Sequence, residues 1–177
     1  MRFSEQLLHH AIWLMQQMDR APDPVTGHPR TVDMRRAVSA AYYALFHRLS
    51  EAAVEQIAPH ASPEAANRIH RWLEHAEMKK ICGEFAGPKL NPPLSDLLGN
   101  SVSEDMRTVA GTFLRLQDAR HAADYDLDYD IRPSETESLI RSAVDAISTW
   151  QRIAQTAEAN IFVLSLLLWK KWESSRK

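Results

Sequence analysis

The chain has 177 residues, of which 45% are hydrophobic, so it is long enough to bury one core and too apolar to remain disordered. Its single cysteine, Cys82, excludes an internal disulfide framework and a multi-cysteine zinc site, and fits a reducing compartment. A formal net charge of -2 excludes a global basic field, so any contact with nucleic acid has to be local.

Helix-forming residues dominate the composition, and only five glycines occur. We therefore predict an all-α protein with a single domain over residues 1–177. The N-terminus enters an amphipathic pattern at once, without the apolar stretch and cleavage site of a secretory signal. We accordingly expect a cytoplasmic protein.

Apolar periodicity predicts the first three helices at residues 3–18, 32–57 and 62–85. A proline-rich loop over residues 21–30 separates the first two. The second helix carries alanines at helical spacing, which let a neighbouring helix approach closely and indicate the central helix. Ser62-Pro63 is a favourable start for the third helix, because the serine accepts a bond from a free amide and proline suits the first turn.

Residues 87–100 hold three prolines and two glycines and predict an irregular connector. Ser101 with Glu104 has the spacing of a capping box and opens a fourth helix to about residue 123. Ser134 with Glu137 repeats that spacing and opens a fifth helix, which continues to about residue 172. The pattern thus ends in a long C-terminal helix.

An apolar run from Ile161 to Trp169 lies near the end of this long helix. Nine residues interrupted by Ser165 are too few to cross a bilayer, which needs about 20, so we expect no membrane contact. The run predicts either a buried helix or a partner surface. Where the helix end projects from the bundle, the run is an exposed apolar patch, and such patches mark interfaces. This favours a homodimer formed through the last helix.

Two segments are richer in polar and aromatic residues than a plain core requires. On the second helix, Arg36, Tyr43 and His47 lie at i, i+7 and i+11, on one stripe that is able to line a polar cleft. Near the end of the fourth helix, Arg120 and Asp124 lie at i and i+4. A purely structural role remains open for both segments: packing for the aromatic residues and a weak intrahelical ion pair for the second segment.

The two segments together resemble the HEPN superfamily, in particular its small stand-alone bacterial members. The resemblance is carried by Ala41-Tyr42-Tyr43-Ala44-Leu45-Phe46-His47 followed later by Arg120-His121-Ala122-Ala123-Asp124-Tyr125-Asp126. It implies an up-and-down bundle of four to five helices, commonly dimeric. In many members it implies a metal-independent endoribonuclease that acts as a toxin or in phage defence, in some cases with an antitoxin-like protein partner.

The nuclease signature of this superfamily is an arginine followed by four to six residues and then a histidine. Arg115 and His121 match it formally, although Arg2 with His9 and Arg68 with His75 meet the same spacing in this histidine-rich chain. The better-aligned arginine is Arg120. Tyr125 then stands where nucleases of the superfamily have histidine, and a phenol with a pKa near 10 is a poor base at neutral pH.

The resemblance therefore leaves two hypotheses for the site. As a ribonuclease, the chain would use Arg120, His121, Arg115 and His47 for catalysis, with Arg36, Tyr43, Asp124 and Tyr125 binding the substrate. As a non-catalytic module, it would bind nucleotide, RNA or a partner protein through the same cleft. A third possibility is a structural protein that associates through its last helix. No cofactor or metal is predicted, because the histidines lack the Glu-x-x-His pattern of helical di-metal bundles.

Overall fold

A computed structural model of the chain describes residues 1–18, 23–25, 27, 30–99 and 101–174. The described part is helical and contains no strand, which confirms the all-α prediction. Half of the predicted loop at residues 21–30 lies outside the described residues. The described part contains eight helices: α1 Phe3–Gln17, α2 Thr31–Ile57, α3 Pro63–Trp72, α4 His75–Ala86, α5 Leu94–Leu98, α6 Glu104–Tyr125, α7 Pro133–Ile153 and α8 Ala157–Ser174.

The central helix is α2, as its alanine spacing predicts. It packs against α1, α6 and α7 and also contacts α3 and α8. Alanines without exposed surface lie along its length, among them Ala37, Ala41, Ala44 and Ala53. Because an alanine side chain ends at Cβ, the neighbouring helices approach α2 closely on several sides.

The prediction of one continuous helix over residues 62–85 is wrong, because the chain is extended at Leu73 and Glu74 between α3 and α4. Leu73 is buried, whereas α3 has no buried residue. Burial of the Leu73 side chain therefore outweighs continuation of an exposed helix. The start of α3 was predicted correctly: Ser62 Oγ accepts a hydrogen bond from the Ala65 amide at 3.3 Å.

The long C-terminal helix is also broken, since α7 ends at Ile153 and α8 begins at Ala157. Thr156 Oγ1 accepts a hydrogen bond from the Ala159 amide at 3.1 Å and so satisfies a free donor at the start of α8. The break lets α8 pack against α2, α4 and α5 instead of projecting. Within the described residues, no helix is both long and apolar enough to cross a membrane.

The apolar run on α8 is therefore part of the core and not a projecting patch. Phe162 and Val163 have no exposed surface, and Leu166 and Trp169 are also buried. Phe162 packs edge-on against Phe85 and lies beside Trp150, with ring centroids 5.0 and 5.6 Å apart respectively. The run does not supply the surface through which we expected a homodimer to form.

Three smaller boundary predictions also need correction. Ser103 caps α6 in place of Ser101, and its Oγ accepts a hydrogen bond from the Met106 amide at 3.2 Å. Helix α7 begins one residue before the predicted Ser134, with Pro133 in its first turn, where a missing amide hydrogen costs nothing. The predicted connector at 87–100 contains the short helix α5, which buries Leu94 in the core.

The packing of α8 predicts unequal costs for two substitutions on that helix. Phe162→Ala empties a fully buried aromatic site and should lower the free energy of unfolding by about 3–5 kcal/mol. Leu164→Ala, at a position that is 44% exposed, is the matched control and should cost less than about 1 kcal/mol. Urea denaturation of both variants measures the difference. Equal costs would contradict the placement of α8.

Candidate functional site

Arg120, in the last turns of α6, is held on three sides. Its Nη2 donates a hydrogen bond to the Tyr43 hydroxyl at 2.9 Å, and its Nε lies 2.6 Å from Asp124 Oδ2. The guanidinium carbon lies 5.4 Å from the centre of the Tyr43 ring and 5.3 Å from that of Tyr125. The Arg120 side chain is 22% exposed, so the cation is fixed in place while part of it still reaches solvent.

Asp124 connects this arginine to the central helix. Its Oδ2 faces Arg120, and its Oδ1 accepts a hydrogen bond from Ser39 Oγ on α2 at 2.5 Å. The ion pair itself is the i, i+4 pair that the sequence predicts. Sequence reasoning missed Ser39, although it lies four residues before Tyr43 and so on the same face of α2. With both oxygens engaged, the carboxylate cannot swing away from Arg120 without breaking two contacts.

Arg35 fastens the end of α6 to α2, a role that sequence reasoning did not assign. Its Nη1 donates to the carbonyl oxygens of Ala123 and Asp126 at 3.1 and 2.7 Å. Its Nη2 donates to those of Leu127 and Tyr129 at 3.3 and 2.8 Å. The last carbonyls of a helix and the turn after it lack intrahelical donors, and one guanidinium supplies four.

His75 is the second residue that sequence reasoning missed. Its Nδ1 lies 2.6 Å from the Tyr42 hydroxyl, and its ring stacks on Phe46 with centroids 4.0 Å apart. The Tyr43 ring lies 5.8 Å away, edge to face, so the ring that contacts Arg120 also contacts His75. His75 reaches this position because the break at Leu73 and Glu74 starts α4 there. The sequence pattern carries no signal for that break.

The surroundings of the cluster keep its histidines neutral. Burial and then the positive charge of Arg120 lower the pKa of His75. Burial is also the main influence that lowers the pKa of His47; Glu51 opposes it, and His70 and His75 lower the pKa further by smaller amounts. Because unperturbed histidine titrates near pH 6.5, both side chains are predominantly unprotonated at neutral pH.

Arg120 remains charged beside these neutral rings. Burial lowers its pKa, but Tyr43, Asp124 and Tyr125 together raise it by more, and the net shift is upward. Burial also raises the pKa of the Tyr42 phenol, so that hydroxyl stays protonated. The cluster therefore combines a permanent cation with an uncharged imidazole and a protonated phenol, which is a combination suited to an anionic ligand.

Arg36 and His47, two further residues predicted for the site, do not contact Arg120 in the same way as Tyr43 does. Arg36 is exposed and lines a shallow depression with Asp124 and Tyr125. His47 is half-buried, and its ring lies 6.3 Å from Tyr43. The structure thus brings most of the predicted substrate-binding residues to the end of α6.

Arg115 and His121, the formal signature pair, are separated within one chain. Six residues along an α-helix correspond to about 600°, which places the two side chains on different faces. Arg115 donates a hydrogen bond to the Ser142 hydroxyl on α7, whereas the ring of exposed His121 lies 5.1 Å from Tyr125. Of the two, only His121 is near Arg120.

A surface pocket of about 580 Å³ adjoins Arg120 and carries charges of both signs. Its lining includes His121, Tyr125 and an ion pair in which Lys79 Nζ lies 2.6 Å from Asp118 Oδ1. Among the described residues, no group of three or more His, Cys, Asp or Glu side chains is placed to hold a metal ion.

Comparisons with known proteins give no match. No family model fits the chain, and no curated protein or solved structure is significantly similar to it. The likeness to the HEPN superfamily therefore rests on the two sequence motifs described above. Any function for the site has to be argued from its own geometry.

The Arg35 contacts predict a stability difference between two adjacent arginines on α2. Arg35→Gln removes charged donors from four carbonyls and should lower the free energy of unfolding by about 1.5–3 kcal/mol. Arg36→Gln makes the same chemical change at an exposed position and should stay within about 0.5 kcal/mol of wild type. Urea denaturation compares them. If Arg35→Gln leaves the free energy of unfolding unchanged, these hydrogen bonds do not hold the end of α6.

The position of His75 predicts its titration. In an NMR titration its pKa should lie below about 6.5, and Arg120→Gln should raise it, because a nearby positive charge has been removed. Burial remains in the variant, so the pKa should stay below its ordinary value. Arg115→Gln removes an arginine on another face of α6 and should leave the His75 titration unchanged. If Arg120→Gln leaves the His75 pKa unchanged, the two groups lie too far apart to act together.

Proposed function

We propose that this chain is a HEPN-like, metal-independent endoribonuclease whose active site is the cluster around Arg120. The observation that carries the proposal is that Arg120 and His75 both contact the Tyr43 ring. One is a fixed cation and the other is an imidazole whose pKa is lowered partly by that cation. Phosphodiester cleavage needs this pair of properties: a charge for the phosphate and a base for the attacking hydroxyl.

Arg120 is the phosphate-binding residue in this proposal. Nε faces Asp124 and Nη2 donates to Tyr43, while the side chain remains 22% exposed. The exposed part of the guanidinium is therefore available to a phosphate oxygen, and the bond would be charge-assisted. Acidic side chains follow α6 directly, so we expect the protein to neutralise few phosphates and its RNA affinity to depend only weakly on salt.

His75 is the proposed base. When Nδ1–H donates to the Tyr42 oxygen, Nε2 carries the free lone pair and accepts the proton of an RNA 2′-hydroxyl. The 2′-oxygen then attacks phosphorus, and the bond to the 5′-oxygen breaks. The products are a 2′,3′-cyclic phosphate and a 5′-hydroxyl; the leaving 5′-oxygen takes one proton from water, and protonated His75 returns its proton to the solvent. Tyr42 and the Phe46 ring fix the orientation of the imidazole.

A second candidate, binding without cleavage, is favoured by Tyr125. This residue is 64% exposed, its ring lies against the Arg120 guanidinium, and it stands where superfamily nucleases have histidine. An exposed aromatic ring beside an arginine is a suitable stacking surface for an unpaired base. The same cluster would then recognise a nucleotide or an RNA end.

The resemblance also implies a biological role and partners for such a ribonuclease, and we include them in the proposal. A cytoplasmic toxin or defence component of this type would act as a homodimer and would be restrained by an antitoxin-like protein. The apolar run on α8 no longer argues for a dimer, because it is buried in the chain's own core. A dimer would therefore use another surface, and sedimentation at micromolar concentration measures whether one forms.

An RNA cleavage assay in the presence of a chelator tests the proposal. Wild type should cut a mixed RNA pool and leave 2′,3′-cyclic phosphate ends. Arg120→Gln and His75→Gln should each reduce the cleavage rate by about 10²-fold or more. Arg115→Gln and His121→Gln, on the formal signature pair, are the matched controls and should retain activity. The wild-type rate should rise with pH through the His75 pKa, because the unprotonated form is the base.

Two results would contradict catalysis by this cluster. Intact RNA with wild type, combined with nucleotide or RNA binding that Tyr125→Ala weakens, would support the binding module instead. Cleavage that survives His75→Gln but is lost in His121→Gln would move the proton transfer to the exposed face of α6. Circular dichroism of each variant separates loss of the site from loss of the fold.

A further inference from the structure

A second pocket, which shares no lining residue with the pocket beside Arg120, lies where α1, α2, α7 and α8 meet. Its volume is about 660 Å³, within the range of roughly 300–1,000 Å³ that small-molecule sites occupy. The break between α7 and α8 forms one wall, where Gln56 Nε2 donates a hydrogen bond to the Ala154 carbonyl at 2.9 Å. The proposed ribonuclease chemistry uses none of this pocket.

Arg48 is the residue in this lining that calls for an explanation. Its side chain is only 6% exposed, yet neither Nε nor Nη1 has a hydrogen-bond acceptor in the part of the chain that the structure describes. The nearest carboxylates are loosely placed, with Glu55 Oε2 at 3.5 Å and Glu51 Oε2 at 3.9 Å from Nη1. Buried guanidinium donors are normally satisfied, so a buried arginine with open donors beside a cavity indicates a missing acceptor.

Glu55 occupies the pocket side of Arg48 and is shared between two arginines. One of its carboxylate oxygens lies 2.9 Å from Arg2 Nη2, and the other is the oxygen 3.5 Å from Arg48. The Glu55 side chain is 45% exposed, in contrast to Arg48. Glu51 is held elsewhere, since it accepts hydrogen bonds from the amide and hydroxyl of Ser4 at 3.1 and 2.6 Å. Glu55 is thus the more exposed of the two carboxylates, and only arginines hold it.

We propose that this pocket binds a small anionic molecule whose carboxylate or phosphate displaces Glu55 and bonds to Arg48 and Arg2. The planar guanidinium of Arg48 matches two oxygens of such a group at once. The remaining lining is rich in amides, contributed by Gln151, Gln155 and Asn160, which supply donors and acceptors for a polar remainder of the ligand. The ligand class is therefore a small polar metabolite with one anionic oxygen group.

Calorimetric titration of the full chain tests this site. Glutarate and inorganic phosphate are the two anionic probes, and glutaramide is the uncharged control. Either anion should bind saturably, glutaramide should not, and the better anion identifies the ligand as carboxylate or phosphate. Arg48→Met should weaken binding at least about tenfold, because it removes the charged donors. Arg152→Met, at an exposed ion pair with Asp105, is the matched control and should bind as wild type does.

Glu55→Gln distinguishes a binding site from a structural ion pair. It removes the internal competitor, so anion affinity should increase several-fold, whereas a purely structural Glu55 would give no gain. Because Glu55 is exposed, this variant keeps the test available even where Arg48→Met fails to fold. No saturable binding of either anion to wild type or to Glu55→Gln at millimolar concentration would overturn the proposal. Binding that is equal in wild type, Arg48→Met and Glu55→Gln would overturn it as well.

Discussion

The close packing of neighbouring helices against α2 is the constraint on which the rest of the structure depends. Fully buried alanines along α2 let α1, α6 and α7 approach it, and polar side chains between those alanines then reach across to the next helix. The 2.9 Å bond from Arg120 to Tyr43 exists only at this separation. A bulkier residue in the alanine rows would force a helix outward and break such contacts first.

Helices α2 and α6 are held to each other by arginines that point in opposite directions. Arg35 on α2 bonds the carbonyls at the end of α6, and Arg120 on α6 bonds Tyr43 on α2. Arg35 fixes the position of the end of α6, and Arg120 is the cation that this position places beside Tyr43. Asp124 with Ser39 closes the same junction. The position of Arg120 in the candidate site therefore depends on the packing of α2 against α6.

Local sequence signals predicted those parts of the fold and site that depend on one helix at a time. The extents of α1 and α2, and the Arg120–Asp124 pair, follow from helical periodicity alone. The two helix breaks do not, because neither Leu73 nor residues 154–156 include glycine or proline. Tertiary burial of Leu73 and of α8 imposes them. His75 enters the site through the first of these breaks, so no reading of isolated helices would have placed it there.

Arg48 and Arg120 differ in how closely neighbouring carboxylates hold the guanidinium group. Arg120 lies 2.6 Å from a carboxylate that a second hydrogen bond from Ser39 holds in place. The carboxylates around Arg48 lie at 3.5 and 3.9 Å, and the nearer one is exposed and shared with Arg2. A ligand at Arg120 therefore adds to a close ion pair, whereas a ligand at Arg48 replaces a looser one. This difference is why removal of the acid is expected to strengthen binding at Arg48, while loss of Asp124 would release Arg120 from its position.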